Sequence, residues 1–367
     1  MANETPRRGV DDGTAAGSSG EYLLPEQHET PELGARRKRR NRTAGAVVAG
    51  VLGVILLGLA VVIGFYVKSA SDALDQVQRQ PSMLPSDYAN RPPSPSPEKG
   101  ENASMNVLIM GTDSRGAGDQ GRSDVMILAH VSGDRKSVYL ISFPRDMWVE
   151  VPGHGMAKIN AAYAWGGMPL AVQTVESLTG ARIEHSALVD FEGFVAIIDA
   201  VGGVEVNNFA ASGSGGYIFP VGPVQLDGKS GLVYTRERYN LPNGDLDRAR
   251  RQRDVALAVV KKVVTPDVLA DPARFNDVVS TMAPYFSVDE GFTAGEMTKL
   301  ALSMRVTDTD ALRSLQAPIQ GFGTSDDGQS IDIVSAQFMA ELAEAMQTDT
   351  MATYWENHKS DPPVGTR

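Results

Sequence analysis

Hydrophobic and polar positions divide this chain of 367 residues into segments of different kinds. Residues 44–67, AGAVVAGVLGVILLGLAVVIGFYV, form an apolar run without a charged side chain. A helix needs about 20 such residues to cross a bilayer, so the run predicts one membrane span. The apolar core of a cleaved signal peptide is the competing assignment. Such cores extend over about 7–15 residues, and this run is longer. RRKRRNR at 36–42 stands directly before it, and basic residues beside a span stay on the cytoplasmic side. Residues 1–43 are therefore predicted as a disordered cytoplasmic tail, polar and poor in apolar side chains. Everything after Val67 is predicted to lie outside. Residues 68–103 contain NRPPSPSPEKG and predict a Pro-rich extracytoplasmic spacer that holds the next domain off the membrane.

From residue 104 to 350 the pattern becomes globular. NVLIMG, DVMILAHV and SVYLISF are short apolar runs between Gly- and Asp-rich loops, and they predict buried strands. PLAVQTVESLTG places Ala171, Val175 and Leu178 at helical spacing, with Gly180 as a stop. HSALVDF predicts a strand, FEGFVAIIDAVGG a helix, VEV a strand and DRARRQRDVALAVVKKVV a long helix. Further helices are predicted near 272–284, 293–304 and 335–347, and 351–367 is predicted as a tail. Strands alternating with helices define an α/β (α+β) domain, a central mixed β-sheet flanked by helices and preceded by the single transmembrane helix.

Composition narrows the function. The formal net charge is −11, which argues against a nucleic-acid binder, since such domains are basic. The absence of cysteine excludes disulfides and thiolate metal sites. The five histidines show no metal spacing, and no GxSxG or HExxH occurs, so hydrolase and zinc-protease motifs are missing.

Against the acidic background, RERYNLPNGDLDRARRQRD at 236–254 gathers six arginines. At 100° per residue Arg248, Arg251 and Gln252 share one helical arc with Val255 and Val259, while Arg250, Arg253 and Asp254 point away. The first face is expected to turn inward and the second to be solvated. Cations at a helix start oppose the macrodipole, and a local rule broken in this way suggests a functional site. An anion there would meet backbone N–H groups and guanidiniums together. Arg236 and Arg238 stand just upstream and could complete a cationic cup or form a surface pair around Glu237. Asp245 and Asp247 are expected as helix caps.

GTDSRGAGDQGRSD at 111–124 links two predicted strands but lacks the GK[ST] of a phosphate-binding P-loop. It puts Asp113 and Asp124 at neighbouring strand ends, where ligands gather in α/β sheets. Two carboxylates near phosphates suit Mg²⁺. An Asx-turn at Asp113 and an Asp124–Arg122 pair is the structural alternative. FPRDMW at 143–148 offers Arg145 as a turn residue or a phosphate ligand, and KINAAY at 158–163 puts Lys158 at a helix start.

Taken in order, NVLIMGTDSR, GRSDVMILAHV, FPRDMWVEVPG, KINAAYAWGG, VDFEGFVAIIDAVGGVEV, YTRERY and GDLDRARRQRD resemble the LytR–CpsA–Psr family of membrane-anchored cell-wall enzymes. The resemblance implies a phosphotransferase of a Gram-positive envelope. Such an enzyme takes a glycopolymer from a polyprenyl pyrophosphate carrier and joins it to peptidoglycan through a phosphodiester. It implies Mg²⁺ on Asp113 and Asp124. It implies a pyrophosphate held by Arg122, Arg145, Lys158, Arg236, Arg238, Arg248 and Gln252. Arg122, Arg145 and Asp124 would act in catalysis, with Asp124 as the base. A greasy groove for the lipid is expected, and Phe191, Phe194, Ile197 and Ile198 could either line it or belong to the core. A non-enzymatic envelope sensor or transcriptional attenuator, and a hydrolase of the same pyrophosphate, are the rival functions.

Overall fold

The computed structural model describes residues 74–96, 102–112, 123–263, 271–306 and 308–359, with three positions between 68 and 72. The tail 1–43 and the expected span 44–67 lie outside them. Among the described residues no helix is long and apolar enough to cross a membrane.

Six strands come first: β1 (Gln78–Gln80), β2 (Met105–Thr112), β3 (Ser123–Val131), β4 (Val138–Ser142), β5 (Met147–Val151) and β6 (Gly155–Lys158). Then follow α1 (Ile159–Thr179), β7 (His185–Asp190) and α2 (Phe191–Ala200). β8 (Val204–Asn208), β9 (Ser212–Ser214), β10 (Tyr217–Phe219) and β11 (Gly222–Leu226) lead into α3 (Gly228–Arg236) and α4 (Asp245–Val263). The remainder is α5 (Pro272–Met282), β12 (Phe286–Asp289), α6 (Ala294–Ser303), β13 (Leu312–Gln316), β14 (Ile319–Thr324), β15 (Ser330–Val334), α7 (Ala336–Gln347) and α8 (Met351–His358).

The central sheet runs β1-β12-β7-β2-β3-β4-β13. It is mixed: β2 pairs parallel with β7 and antiparallel with β3, and β4 pairs antiparallel with β3 and parallel with β13. Helices cover both faces. Leu108, Met110, Met126, Leu128, Tyr139 and Ile141 face α1 and α7 through Ala171, Val172, Val175 and Leu342. The alternate residues Val107, Ile127, Ala129 and Leu140 pack with Ala256 and Leu257 of α4 and Met297 and Leu300 of α6. Burial on both faces explains why these strands read as continuous apolar runs rather than alternating ones. A second sheet, β14-β15-β5-β6, extends the domain. A third core joins α2, β8, β10, α3 and α4 through Ile198, Val204, Phe219, Tyr234 and Val255.

Gly180 ends α1 in the left-handed conformation (φ 61°) and donates its N–H to Glu176 O, the C-terminal stop that glycine permits without a Cβ clash. α1 begins earlier than expected and carries a kink at Gly166 and Gly167 ahead of Pro169.

Two boundaries differ from expectation. Within the expected spacer 68–103, β1 pairs with β12 in the central sheet, and Val77 and Met83 are buried. Glu176, fully buried in α1, holds this segment in place. Its carboxylate accepts from Arg91 Nε at 3.0 Å, Arg91 Nη2 at 3.1 Å, Tyr88 Oη at 2.9 Å and Ile183 N at 2.9 Å. A buried carboxylate is tolerated only with such partners. The expected tail 351–367 begins with α8, whose Met351 and Tyr354 are buried in the first core.

Candidate functional site

Three segments converge at one end of the central sheet. β4 ends at Ser142, and Phe143 N donates to Met126 O of β3 at 2.9 Å. Pro144 then stops the strand and releases Arg145 and Asp146. Asn160 N of α1 donates to Arg145 O, and β5 pairs Trp148 with Lys158, the residue that caps α1. The start of α4 lies over the same place: Val125, Ser142, Phe143, Arg145, Asp245, Ala249 and Gln252 line one narrow cleft.

Around this cleft charges alternate. Lys158 Nζ lies 2.9 Å from Asp146 Oδ1, and Arg145 Nε lies 3.7 Å from Asp146 Oδ2. Arg145 Nε lies 3.3 Å from Asp245 Oδ2, and Arg248 Nη2 lies 2.8 Å from Asp245 Oδ1. Among the described residues the cluster brings three cations against two carboxylates. Arg248 is 6% exposed, so little solvent screens it.

On α4, Asp245, Arg248 and Gln252 fall at i, i+3 and i+7, one stripe of the helix. Gln252 Nε2 donates to Thr235 O, in the last turn of α3, at 3.3 Å. This contact puts Arg236, the last residue of α3, next to the stripe. Arg236 is exposed. Arg238 follows in the loop, its guanidinium 4.6 Å from the ring centroid of Tyr239 and donating to Tyr239 Oη at 2.6 Å. Glu237 between them turns inward and accepts the N–H groups of Tyr239 and Asn240. The structure thus brings Arg145, Lys158, Arg248 and Gln252 together, with Arg236 at the end of α3 and Arg238 on the loop after it.

Asp113 and Arg122 lie outside the described residues, as does the side chain of Asp124, whose backbone belongs to β3. The register pairs Thr112 with Ser123, so the chain leaves β2 and enters β3 from adjacent positions. Among the described residues no group of three or more His, Cys, Asp or Glu side chains is placed to hold a metal ion.

The helix start departs from expectation at Arg253. Arg253 is half-buried rather than fully solvated: its Nη1 donates to Ser142 Oγ at 2.7 Å, and burial pushes its guanidinium pKa down to about 10. α4 is covered on two sides, by the sheet through Ala249, Ala256 and Leu257 and by the third core through Val255 and Val259. An arc drawn from Val255 and Val259 alone therefore misplaces Arg253. Arg250, 44% exposed, does face outward. Arg251 serves the third core: fully buried, it donates to Asn208 Oδ1 at 3.0 Å and Ala210 O at 2.9 Å and lies 4.1 Å from the Tyr234 ring centroid.

Asp245 bridges two arginines, and Asp247 accepts the N–H of Asn243 just before the helix at 2.8 Å. Asp146 and Asp245 each have a local partner, Arg145 and Arg248, but their contacts to Lys158 and Arg145 respectively carried no local signal. Ile197 and Ile198 are buried, and Ile198 belongs to the third core with Phe194 packed against it. The side chain of Phe191 lies outside the described residues.

The LytR_cpsA_psr family profile matches residues 63–349, and the chain belongs to that family. Polyisoprenyl-teichoic acid–peptidoglycan teichoic acid transferase TagU of Enterococcus faecalis is 35% identical over 246 residues, covering 66% of this chain and 78% of the relative. The protein of the same name from Bacillus anthracis is 34% identical over 283 residues, 76% of this chain and 88% of the relative. The crystal structure of B. subtilis TagV shares the fold, with a TM-score of 0.59 at 24% identity over 67% of this chain and 96% of that one. A structure from E. faecalis described as a transcriptional regulator gives a TM-score of 0.55 at 28% identity, over 69% of this chain and 92% of that one.

Proposed function

We propose that this protein is a membrane-anchored, extracytoplasmic phosphotransferase that moves a glycopolymer from a polyprenyl pyrophosphate carrier onto peptidoglycan. The chain is a transferase-class enzyme of its family, and its relatives bear teichoic acid transferase names. The observation that carries the reading is the Arg145–Asp245–Arg248 bridge. It holds two guanidinium forks side by side at a sheet end, where a pyrophosphate can exchange with the Asp245 carboxylate. Phosphoryl transfer needs mainly positioning and stabilisation of spread charge, and guanidiniums supply both while staying charged.

In the proposed reaction a sugar hydroxyl of peptidoglycan attacks the phosphorus that bears the glycopolymer. The new P–O bond forms as the bond to the second phosphate breaks, and polyprenyl phosphate leaves. The hydroxyl proton passes to a carboxylate, for which Asp124 is proposed. Arg145 and Arg248, joined by Arg122, Lys158, Arg236, Arg238 and Gln252, hold the phosphate oxygens. Asp113 and Asp124 would hold Mg²⁺. Asp113 follows Thr112, the last residue of β2, and Asp124 is the second residue of β3, whose first residue pairs with Thr112; a pair of carboxylates with phosphate oxygens is a donor set that this ion accepts. When bound, the ion supplies further neutralisation of phosphate charge.

The anchor and the outward orientation rest on the uncharged run 44–67 and the basic cluster 36–42. Protease added to intact, wall-stripped cells is expected to remove the domain, and protection until lysis would overturn this topology.

The decisive experiment incubates the purified full chain with a lipid-linked glycopolymer, with and without a peptidoglycan acceptor and chelator. Acceptor-dependent joining, lost in chelator and in Asp113→Ala or Asp124→Ala, is expected. Release of free glycopolymer phosphate without acceptor would make the protein a hydrolase. Binding without either product would make it a sensor.

A further inference from the structure

Residues 206–226 contain no Asp, Glu, Lys or Arg, in a chain that is 22% charged. Much of this segment is the β9–β10 hairpin and its exit, and it turns apolar side chains outward. Ile218 is 84% exposed, Val221 65% and Tyr217 36%, while Phe219 points into the third core. Tyr239, 82% exposed, joins them from the loop after α3. The two segments are tied, since Asn240 Nδ2 donates to Gly213 O at 3.1 Å. Arg238 stacks on Tyr239, and Arg236 stands exposed two residues before Arg238. The carboxylate of this loop, Glu237, is buried.

Large aliphatic side chains exposed together on a soluble domain mark an interaction surface. The chemistry here combines branched aliphatics at a hairpin, amphipathic tyrosines and a pair of cations. A protein partner for this acidic chain's uncharged stretch would need its own matching apolar face. A bilayer offers both requirements at once: acyl chains for Ile218 and Val221, the interfacial zone for Tyr217 and Tyr239, and phosphate headgroups for Arg236 and Arg238.

We propose that this face, the β9–β10 hairpin with Tyr239 and its two arginines, docks on a lipid bilayer surface carrying anionic headgroups. The exposed apolar side chains point to docking without the transfer chemistry, while Arg236 and Arg238 are shared with the proposed pyrophosphate site. Docking gives the cationic cleft an orientation. Arg238 and Tyr239 belong to the same loop as the proposed pyrophosphate ligands, so docking brings that loop to the headgroup plane.

The chain has no cysteine, so one introduced thiol can be labelled alone. Ile218→Cys in the full chain, carrying an environment-sensitive fluorophore, is reconstituted in phosphatidylglycerol-containing vesicles. The emission is expected to shift to the blue, to be quenched by nitroxide-labelled lipids and to be shielded from aqueous iodide. Asp326→Cys, exposed on the turn between β14 and β15, is expected to behave in the opposite way. Arg238→Gln added to Ile218→Cys is expected to reduce lipid quenching in anionic vesicles but not in purely zwitterionic ones. An Ile218 probe open to iodide and untouched by lipid nitroxides would overturn the proposal. So would a probe shielded from both quenchers, since a protein surface would then cover it. Transfer activity alongside either result would leave the enzyme assignment standing while the docking face falls.

Discussion

Asp245 Oδ2 lies 3.3 Å from Arg145 Nε. This contact joins a helix start to the end of a strand far earlier in the chain. The same carboxylate also holds Arg248, so it stands in for the anion that the cleft is proposed to bind.

Asp245→Asn tests that relationship. The substitution keeps the volume and removes one negative charge from between two guanidiniums. Inorganic pyrophosphate is expected to bind more tightly in titration calorimetry, with a steeper loss of affinity as salt is added. Turnover is expected to fall, since Arg145 and Arg248 lose the partner that positions them. Unchanged or weaker pyrophosphate binding would remove Asp245 from the site.

Arg253 supplies a stability test. Its Nη1 bonds Ser142 Oγ at the end of β4, and hydrogen bonds to charged groups contribute about 1.5–3 kcal/mol. Arg253→Ala is expected to lower stability by about that amount, whereas Arg250→Ala at the exposed position should stay within about 0.5 kcal/mol. Arg253→Met, which keeps most of the side-chain volume, should recover part of the loss. Thermal melting of the three variants reads the result, and equal melting of Arg250→Ala and Arg253→Ala would contradict the two-sided packing of α4.

Glu184 makes stability depend on pH. Burial pushes its carboxyl up to about 7, although Asn106 N donates to it at 2.7 Å. The folded state therefore favours the protonated form more than the unfolded chain does. The stability from this preference is fully present below the ordinary carboxylate pKa and is lost as pH rises through about 7. The loss is on the order of 1–3 kcal/mol, since each tenfold change in proton affinity corresponds to about 1.4 kcal/mol. Glu184→Gln keeps an acceptor for Asn106 N and cannot ionise. Its melting temperature is expected to exceed that of the parent at pH 8 and to flatten between pH 5 and 8. A parent profile already flat over that range would exclude Glu184 as the cause.

Strong apolar runs were legible along the sequence because packing decides them. The continuous runs of β2, β3 and β4 and the periodic helices α2, α4, α5, α6 and α7 follow directly from side-chain pattern. α3 was not legible: GKSGLVYTR has little apolar periodicity, and its signal is the capping box in which Asp227 and Ser230 bond reciprocally. β5 was hidden behind Pro144, although Met147, Val149 and Val151 alternate inward with Glu150 exposed. The site was legible as a list of cations. Which of them meet was not, because the Lys158–Asp146 and Arg145–Asp245 contacts that join the segments are set by the tertiary fold. Arg251 and Arg253 show the same limit: one helix turn carries a core cation, a strand-end cation and the cleft cation Arg248.

That division of labour gives a comparison that controls for charge. Arg248 is buried against Asp245, and Arg250 is exposed and stacks on the Phe209 ring at 4.1 Å. Arg248→Lys and Arg250→Lys are the same chemical change on two sides of one helix. Lysine keeps the charge but cannot present a bidentate fork to phosphate. If Arg248 grips the pyrophosphate chiefly in the transition state, losing a charge-assisted hydrogen bond of about 1.5–3 kcal/mol lowers the transfer rate roughly ten- to hundredfold. Arg250→Lys is expected to transfer at a near-parental rate. Initial rates with a lipid-linked substrate measure both. Equal losses would mean that the outer face of α4 also meets the substrate. No loss in either would mean that the Arg145–Asp245–Arg248 bridge is structural and that the phosphate is held by other residues.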